Sequence, residues 1–230
     1  MYSRKVGDDV LSFGHQGGLY RKSFVMYDRQ SESLWVHVSG QAIKGARKGQ
    51  QLEFVPSEVL TWGDWVKRHP MTTALVGEKA SGFMGTFTLD RRPQDFGLSV
   101  GQGRSVALLP YSMLRQVPVF HLHVDGQAIV ATFDARAIRA TAYSRLVDGQ
   151  QLTFEAVIPP ADDGSVTGKA LARPALMRDS QSGSLWQRIT GTCIAGKLKG
   201  KQLTPVAATP WLMDRWHGFF PKGKVYALPK

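Results

Sequence analysis

Met26-Tyr27-Asp28-Arg29-Gln30-Ser31-Glu32-Ser33-Leu34-Trp35 returns later in the chain as Met177-Arg178-Asp179-Ser180-Gln181-Ser182-Gly183-Ser184-Leu185-Trp186, a shift of 151 residues. An internal copy sets a domain plan more firmly than local propensity does, because stretches that share spacing share backbone requirements. The register continues without a gap. Gly40, Ile43, Gly45, Lys48, Gly49, Gln51 and Leu52 meet Gly191, Ile194, Gly196, Lys199, Gly200, Gln202 and Leu203, and Trp65 and Pro70 meet Trp216 and Pro221. Upstream, Tyr2-Ser3-Arg4, Val6, Leu11 and Phe13 match Tyr143-Ser144-Arg145, Val147, Leu152 and Phe154 at a shift of 141, so the second copy carries ten extra residues between Phe154 and Met177. Pro159 to Ser165 has the turn-forming composition of that insertion.

Each copy reads as strands followed by a short helix. In the first, Leu11-Ser12-Phe13, Leu19 to Asp28, Leu34 to Val38 and Gln51 to Val55 carry the alternating or apolar patterns of strands. Thr61 to Arg68 reads as a helix of one to two turns ended before Pro70, with Ser57 or Thr61 as N-cap, and Trp211 to Trp216 repeats it. Six glycines between Gly77 and Gly103 suggest a connection. Beyond it, Val106 to Leu109, Val117 to Val124, Gln127 to Phe133 and Ile138 to Tyr143 read as strands that lead into the second copy. The expected fold is mainly β (α+β), with two internal pseudo-repeats fused into one pseudo-twofold β-rich body. Residues 1–76 form copy one, 77–105 a Gly-rich connection and 106–230 copy two with its leading strands.

The 230 residues are 43% apolar and 20% charged, which excludes a disordered or collagenous chain. Cys193 is the single cysteine, so neither an internal disulfide framework nor a thiolate zinc cage is available, and in its apolar setting it reads as a small core residue. No apolar run approaches the roughly 18 residues of a membrane span, and Met1 to Asp9 lacks the apolar stretch of a signal peptide. The expectation from the chain as given is a cytoplasmic protein, or an exported or periplasmic one if an N-terminal segment has been lost. Twenty-nine Lys and Arg against eighteen Asp and Glu give a net charge of +11. Such a balance attracts anionic partners.

Val25-Met26-Tyr27-Asp28-Arg29-Gln30-Ser31-Glu32-Ser33-Leu34-Trp35, then Gly40 to Gly49, then Thr61-Trp62-Gly63-Asp64-Trp65 and His69-Pro70, resemble the bacterial and archaeal proteins grouped as domain of unknown function 3179. Members of that family carry Leu-Met-Tyr-Asp-Arg-x-Thr-x-Ser-Leu-Trp-x-Gln, a Gly-rich hairpin, Thr-Trp-x-x-Trp and His-Pro. The resemblance is tight from Leu11 to Leu75 and looser from Val106 to Pro221, and it implies no particular reaction. Its usual Cys-Pro-Leu-Cys-Gly segment, which would precede Tyr2, is not among these residues, so its thiol pair is not carried over. The family glutamine two residues after the tryptophan is His37 in copy one and Arg188 in copy two.

Residues kept in both copies point to fold, and residues found in only one point to function. Asp28 and Asp179 suit a turn in which a carboxylate accepts backbone amides two residues on, and Trp35 and Trp186 suit core anchors. Tyr27, Arg29, Glu32, His37, Trp62, Asp64 and His69 belong to copy one alone, where they face Arg178, Ser180, Gly183, Arg188, Met213, Arg215 and Phe220. They are the candidates for a pocket. Arg29 suits a bidentate clamp on a carboxylate or phosphate, His37 or His69 a proton shuttle, and Asp64 an orienting group. The bland reading of the same residues is an Arg29–Glu32 ion pair, a half-buried His37 and a helix-end His69. His121 and His123 lie two apart on a strand, on one face, which with Asp125 as a third ligand would suit a divalent metal; a solvated strand face is the default reading, and no cofactor is expected.

Lys44, Arg47 and Lys48 decorate the hairpin of copy one as Lys197, Lys199 and Lys201 decorate that of copy two, and Lys222, Lys224 and Lys230 extend the basic end. No P-loop, dinucleotide fingerprint, nucleophile elbow or HExxH is present. The expected function is that of a non-enzymatic docking protein, whose paired basic hairpins bind an anionic partner. A protein in a larger assembly is preferred over nucleic acid or an anionic membrane surface. The alternative is an enzyme or metal-dependent sensor built on the copy-one pocket.

Overall fold

A computed structural model describes residues 1–55, 62–74, 92–102, 105–157 and 175–228, without the side chains of Asp64 and Arg68. The expected N-caps at 57 and 61, most of the glycine-rich stretch, the insertion at 159–165 and Lys230 lie outside the described residues. The chain is mainly β. A small hairpin, β1 (Lys5–Val6) and β2 (Asp9–Val10), precedes an antiparallel sheet of β3 (Phe13–Tyr20), β4 (Ser23–Asp28), β5 (Leu34–Val36) and β6 (Ala42–Lys44), in that order. Helix α1 (Trp62–Arg68) follows. Next come β7 (Phe96–Gln102), β8 (Ser105–Pro110), α2 (Tyr111–Gln116), β9 (Val119–Val124), β10 (Gln127–Asp134) and β11 (Arg139–Ser144). A second small hairpin, β12 (Leu146–Val147) and β13 (Gln150–Gln151), leads to β14 (Phe154–Ala156), β15 (Leu176–Asp179), β16 (Leu185–Gln187) and β17 (Cys193–Ala195), again an antiparallel sheet in chain order. The chain ends through β18 (Ala208–Leu212), α3 (Met213–Phe219) and β19 (Lys224–Val225).

Two central sheets join these parts. One has the order β18-β7-β8-β19 and the other β11-β10-β9. Side chains alternate across a strand, and β10 uses both faces. Ile129, Ala131 and Phe133 pack with Leu98, Val100 and Leu109 of β7 and β8 and with Tyr111 and Leu114 of α2. Val130 turns the other way, into a core with Tyr143, Phe154, Met177, Trp186 and Leu203. β8 is likewise two-sided: Ala107 and Leu109 face the first core, while Val106 and Leu108 pack with Trp211 and Trp216, against which Val38 of the N-terminal part leans. This explains the unbroken apolar runs Val106 to Leu109 and Ala128 to Ala131, which belong to strands buried on both sides.

The N-terminal and C-terminal sheets make matching contacts at positions 151 apart, or 141 apart where Tyr2 and Phe13 meet their counterparts Tyr143 and Phe154. Trp35 Nε1 donates to Asp28 Oδ2 at 2.8 Å and Trp186 Nε1 to Asp179 Oδ2 at 2.9 Å. Phe13 meets Trp35 edge-on at 5.9 Å and Phe154 meets Trp186 at 5.8 Å. Tyr2 OH donates to the Val38 carbonyl and Tyr143 OH to that of Ile189. The backbone amides of Arg47 and Leu198 donate to Ser33 Oγ and Ser184 Oγ at 3.0 and 3.1 Å.

Several expectations need correction. Phe96 to Gln102, read as connection, is strand β7. Its glycines serve close approach: a Cβ on Gly97 would stand 2.9 Å from Leu108 Cδ1, and one on Gly101 2.3 Å from the Ser105 carbonyl oxygen. Gln51 to Val55 makes only isolated bridges, Gln41 to Gln51 and Tyr2 to Phe54. Trp211 lies on β18, and the helix after it begins at Met213. Helix α2, directly after Pro110, is an addition to the expected elements.

Candidate functional site

The basic hairpins are built on a buried carboxylate. Asp28 is fully buried, and its Oδ1 accepts the Ser31 amide at 2.6 Å, three residues on rather than the expected two. Ser31 Oγ bonds both carboxylate oxygens and lies 2.8 Å from Ser33 Oγ, which receives the Arg47 amide at the hairpin tip. In the C-terminal sheet, Asp179, Ser182, Ser184 and the Leu198 amide make the equivalent chain. Burial raises the pKa of each carboxyl. Donors from the indole and the serines outweigh it, so Asp28 and Asp179 both stay below the ordinary carboxylate value. A rigid, charged anchor thus fixes each hairpin.

Not all the hairpin cations face solvent alone. Arg47 binds Asp9 of β2 at 2.5 Å, and Lys201 binds Asp148, beside the β12–β13 turn, at 2.9 Å. Lys44, Lys48, Lys197 and Lys199 are exposed and have no carboxylate partner among the described residues. Arg47 and Lys201 therefore clip each basic hairpin to its small neighbour, and the four other lysines hold the charge open to a partner.

Three of the candidate pocket residues each pack on an aromatic ring. Arg29 lies over the Tyr27 ring at 5.6 Å, His37 stacks on Phe24 at 4.2 Å, and His69 lies against Trp65 at 4.1 Å. No hydrogen bond or ion pair joins any two of Arg29, Glu32, His37 and His69 among the described residues, which also removes the expected Arg29–Glu32 pair. Partial burial, then the N-terminal ammonium, hold the His37 pKa below its ordinary value. Glu32 holds φ +53° where its counterpart Gly183 has +70°. Trp62 is exposed, and the Asp64 side chain lies outside the described residues. A cavity of about 170 Å³ lies elsewhere, lined by Gly101, Gln102, Ser105, Val124, Asp125 and Gln127. Arg188, 151 residues after His37, donates to the Phe133 carbonyl at 3.0 Å and so ties the C-terminal sheet to β10.

His121 and His123 do share β9, but His121 Nε2 accepts the Phe154 amide at 3.1 Å, and Asp125 accepts the Ser105 hydroxyl at 2.9 Å. No group of three His, Cys, Asp or Glu side chains suited to a metal occurs among the described residues. Burial, then the Arg145 charge, push the His121 pKa down to about 4. An unfolded chain carries its imidazole near 6.5, so between about pH 6.5 and 4 it takes up a proton that the folded chain refuses. Stability contributed by His121 is full above that window and falls as pH drops through it. His121→Gln keeps an acceptor for Phe154 but does not titrate. The gap in Tm between the protein and this variant is expected to change only inside the window; a gap constant with pH would refute the assignment. Cys193 is buried, and burial raises its thiol pKa, as a packing residue requires.

The shared carboxylate-anchored hairpins and the mainly antiparallel sheets define a β-rich class of protein, with no helix among the described residues long and apolar enough to cross a membrane. A family model described as protein of unknown function (DUF3179) matches residues 1–90 and 163–229, and the chain belongs to that family. No curated protein and no solved structure matches it.

Proposed function

We propose that the chain is a non-enzymatic docking protein made of two related units about a pseudo-twofold axis, each presenting a basic hairpin to an anionic partner. A protein within a larger assembly is the first candidate. The observation that carries this reading is the pair of hairpins pinned by matching bonds to Ser33 and Ser184, which connect through Ser31 and Ser182 to buried Asp28 and Asp179, with Lys44, Lys48, Lys197 and Lys199 exposed and without carboxylate partners among the described residues. Pinned lysines hold charge in one place, which favours electrostatic steering and salt-sensitive association. Among the described residues Arg29, His37 and His69 pack on separate aromatic rings and share no hydrogen bond, so the rival enzyme reading gains no support from them.

The test is retention on heparin, a sulfated polyanion. Replacing Lys44, Lys48, Lys197 and Lys199 together with Gln is expected to lower the eluting salt concentration clearly. A control replacing the exposed Lys5, Lys22, Lys222 and Lys224 with Gln carries the same net charge and should elute close to the native protein. Equal elution of the two variants would remove the hairpins from the function.

A further inference from the structure

Trp65 and Trp216 occupy matching positions in α1 and α3, yet the structure treats them oppositely. Trp216 is fully buried with Val106, Leu108 and Trp211, and its Nε1 donates to Ser99 Oγ at 2.8 Å. Gly223 makes room for the ring: a Cβ there would stand 2.2 Å from Trp216 Cη2. Helix α3 thus rests on a sheet. None of the four apolar cores among the described residues contains a residue of α1. Trp65 is 40% exposed, bonded to Thr72 and tilted against His69, while Trp62 is 59% and Met71 92% exposed. Lys67 is exposed on the same helix.

We infer that α1 inserts its indoles into the headgroup region of an anionic lipid bilayer. Trp prefers the membrane–water boundary, where its ring leaves water and its N–H stays wet. A seven-residue helix carrying two exposed indoles needs a groove of matching shape on a protein, whereas a bilayer yields to it. The net charge of +11 complements anionic headgroups. Stable peripheral attachment takes two signals; here apolar insertion by Trp62, Trp65 and Met71 joins long-range attraction. The attraction, but not the insertion, rests on the anion-docking reading above.

The other four tryptophans, Trp35, Trp186, Trp211 and Trp216, are already buried, so emission reports on Trp62 and Trp65. Full-length protein mixed with vesicles of phosphatidylcholine and phosphatidylglycerol is expected to shift its emission to the blue and to resist acrylamide quenching. Trp62→Ser combined with Trp65→Ser should co-sediment about tenfold less or weaker still, without a blue shift and with unchanged circular dichroism. The four-lysine hairpin variant separates the two readings. It should sediment less at low salt while its bound fraction still shifts; if it sediments like the native protein, the hairpin reading falls and the α1 assignment stands. No shift on the mixed vesicles, or undiminished sedimentation of the double tryptophan variant, overturns the inference and turns the face toward a protein groove. An equal shift on phosphatidylcholine alone overturns its anionic part.

Discussion

Trp186→Ala is expected to cost about 3–5 kcal/mol, a large share of the roughly 5–15 kcal/mol that holds a folded domain together. The indole is fully buried, meets Phe154 edge-on at 5.8 Å, and places its N–H 2.9 Å from Asp179 Oδ2. Asp179→Asn separates packing from polarity. The amide keeps the shape, but it either turns a donor toward the indole N–H or gives up the Ser182 amide, leaving a buried group unmatched at about 1–3 kcal/mol. Trp186→Phe removes the N–H and most of that conflict. In a double-mutant cycle followed by urea unfolding, Asp179→Asn should therefore cost less when combined with Trp186→Phe than when made alone, with a coupling of about 0.5–3 kcal/mol. Strict additivity would show that the bond contributes nothing. Because the Asp179 pKa is depressed in the fold, its contribution is present above the unfolded carboxylate value and lost as pH falls through the folded one. Acid should accordingly narrow the difference between the native protein and Asp179→Asn.

What could be read in advance was whatever lies close along the chain. Asp28, Ser31, Ser33 and Trp35 fall within eight residues, and the repetition of that stretch at 179 to 186 points to a shared role in the fold, with Asp28 as a turn carboxylate and Trp35 as a core anchor. Long-range outcomes were not legible. The two-residue spacing of His121 and His123 predicts a shared face, but the partner that decides what His121 does, the Phe154 amide, is 33 residues away. Gly97 and Gly101 look like chain freedom in a run of glycines and prove to be sites where β7 touches β8 too closely for a side chain. The parallel pairing of Lys224 and Val225 with Ala107 and Leu108 joins segments more than a hundred residues apart and leaves no local pattern. Trp65 shows the limit most sharply. Its match with Trp216 assigns it to the fold rather than to function, yet burial depends on the neighbour that covers a side chain, and among the described residues no apolar core includes a residue of α1.

Gly196→Ala should destabilise the protein by about 2–4 kcal/mol, joining a left-handed backbone cost of roughly 1–2 kcal/mol to a forced displacement of similar size. Its φ is +95°, and a Cβ would stand 2.6 Å from Ser184 Oγ and 2.7 Å from the Ser184 Cα. Backbone lies in the way, so no side-chain rotation relieves the contact. Gly45 has φ +94° and meets Ser33 at the same distances of 2.6 and 2.7 Å, so Gly45→Ala should behave alike. Gly200 and Gly49 provide the internal control, since their φ values of +88° and +89° are equally left-handed but nothing lies within 4 Å of an added Cβ. Alanine at those two should cost only the backbone part, about 1–2 kcal/mol. The difference within each hairpin measures how tightly its tip is pressed onto the serine that links it to the buried carboxylate. If Gly196→Ala and Gly200→Ala unfold at the same urea concentration, the tip is not pinned, and Lys197 and Lys199 lose the fixed placement on which their role as a docking surface depends.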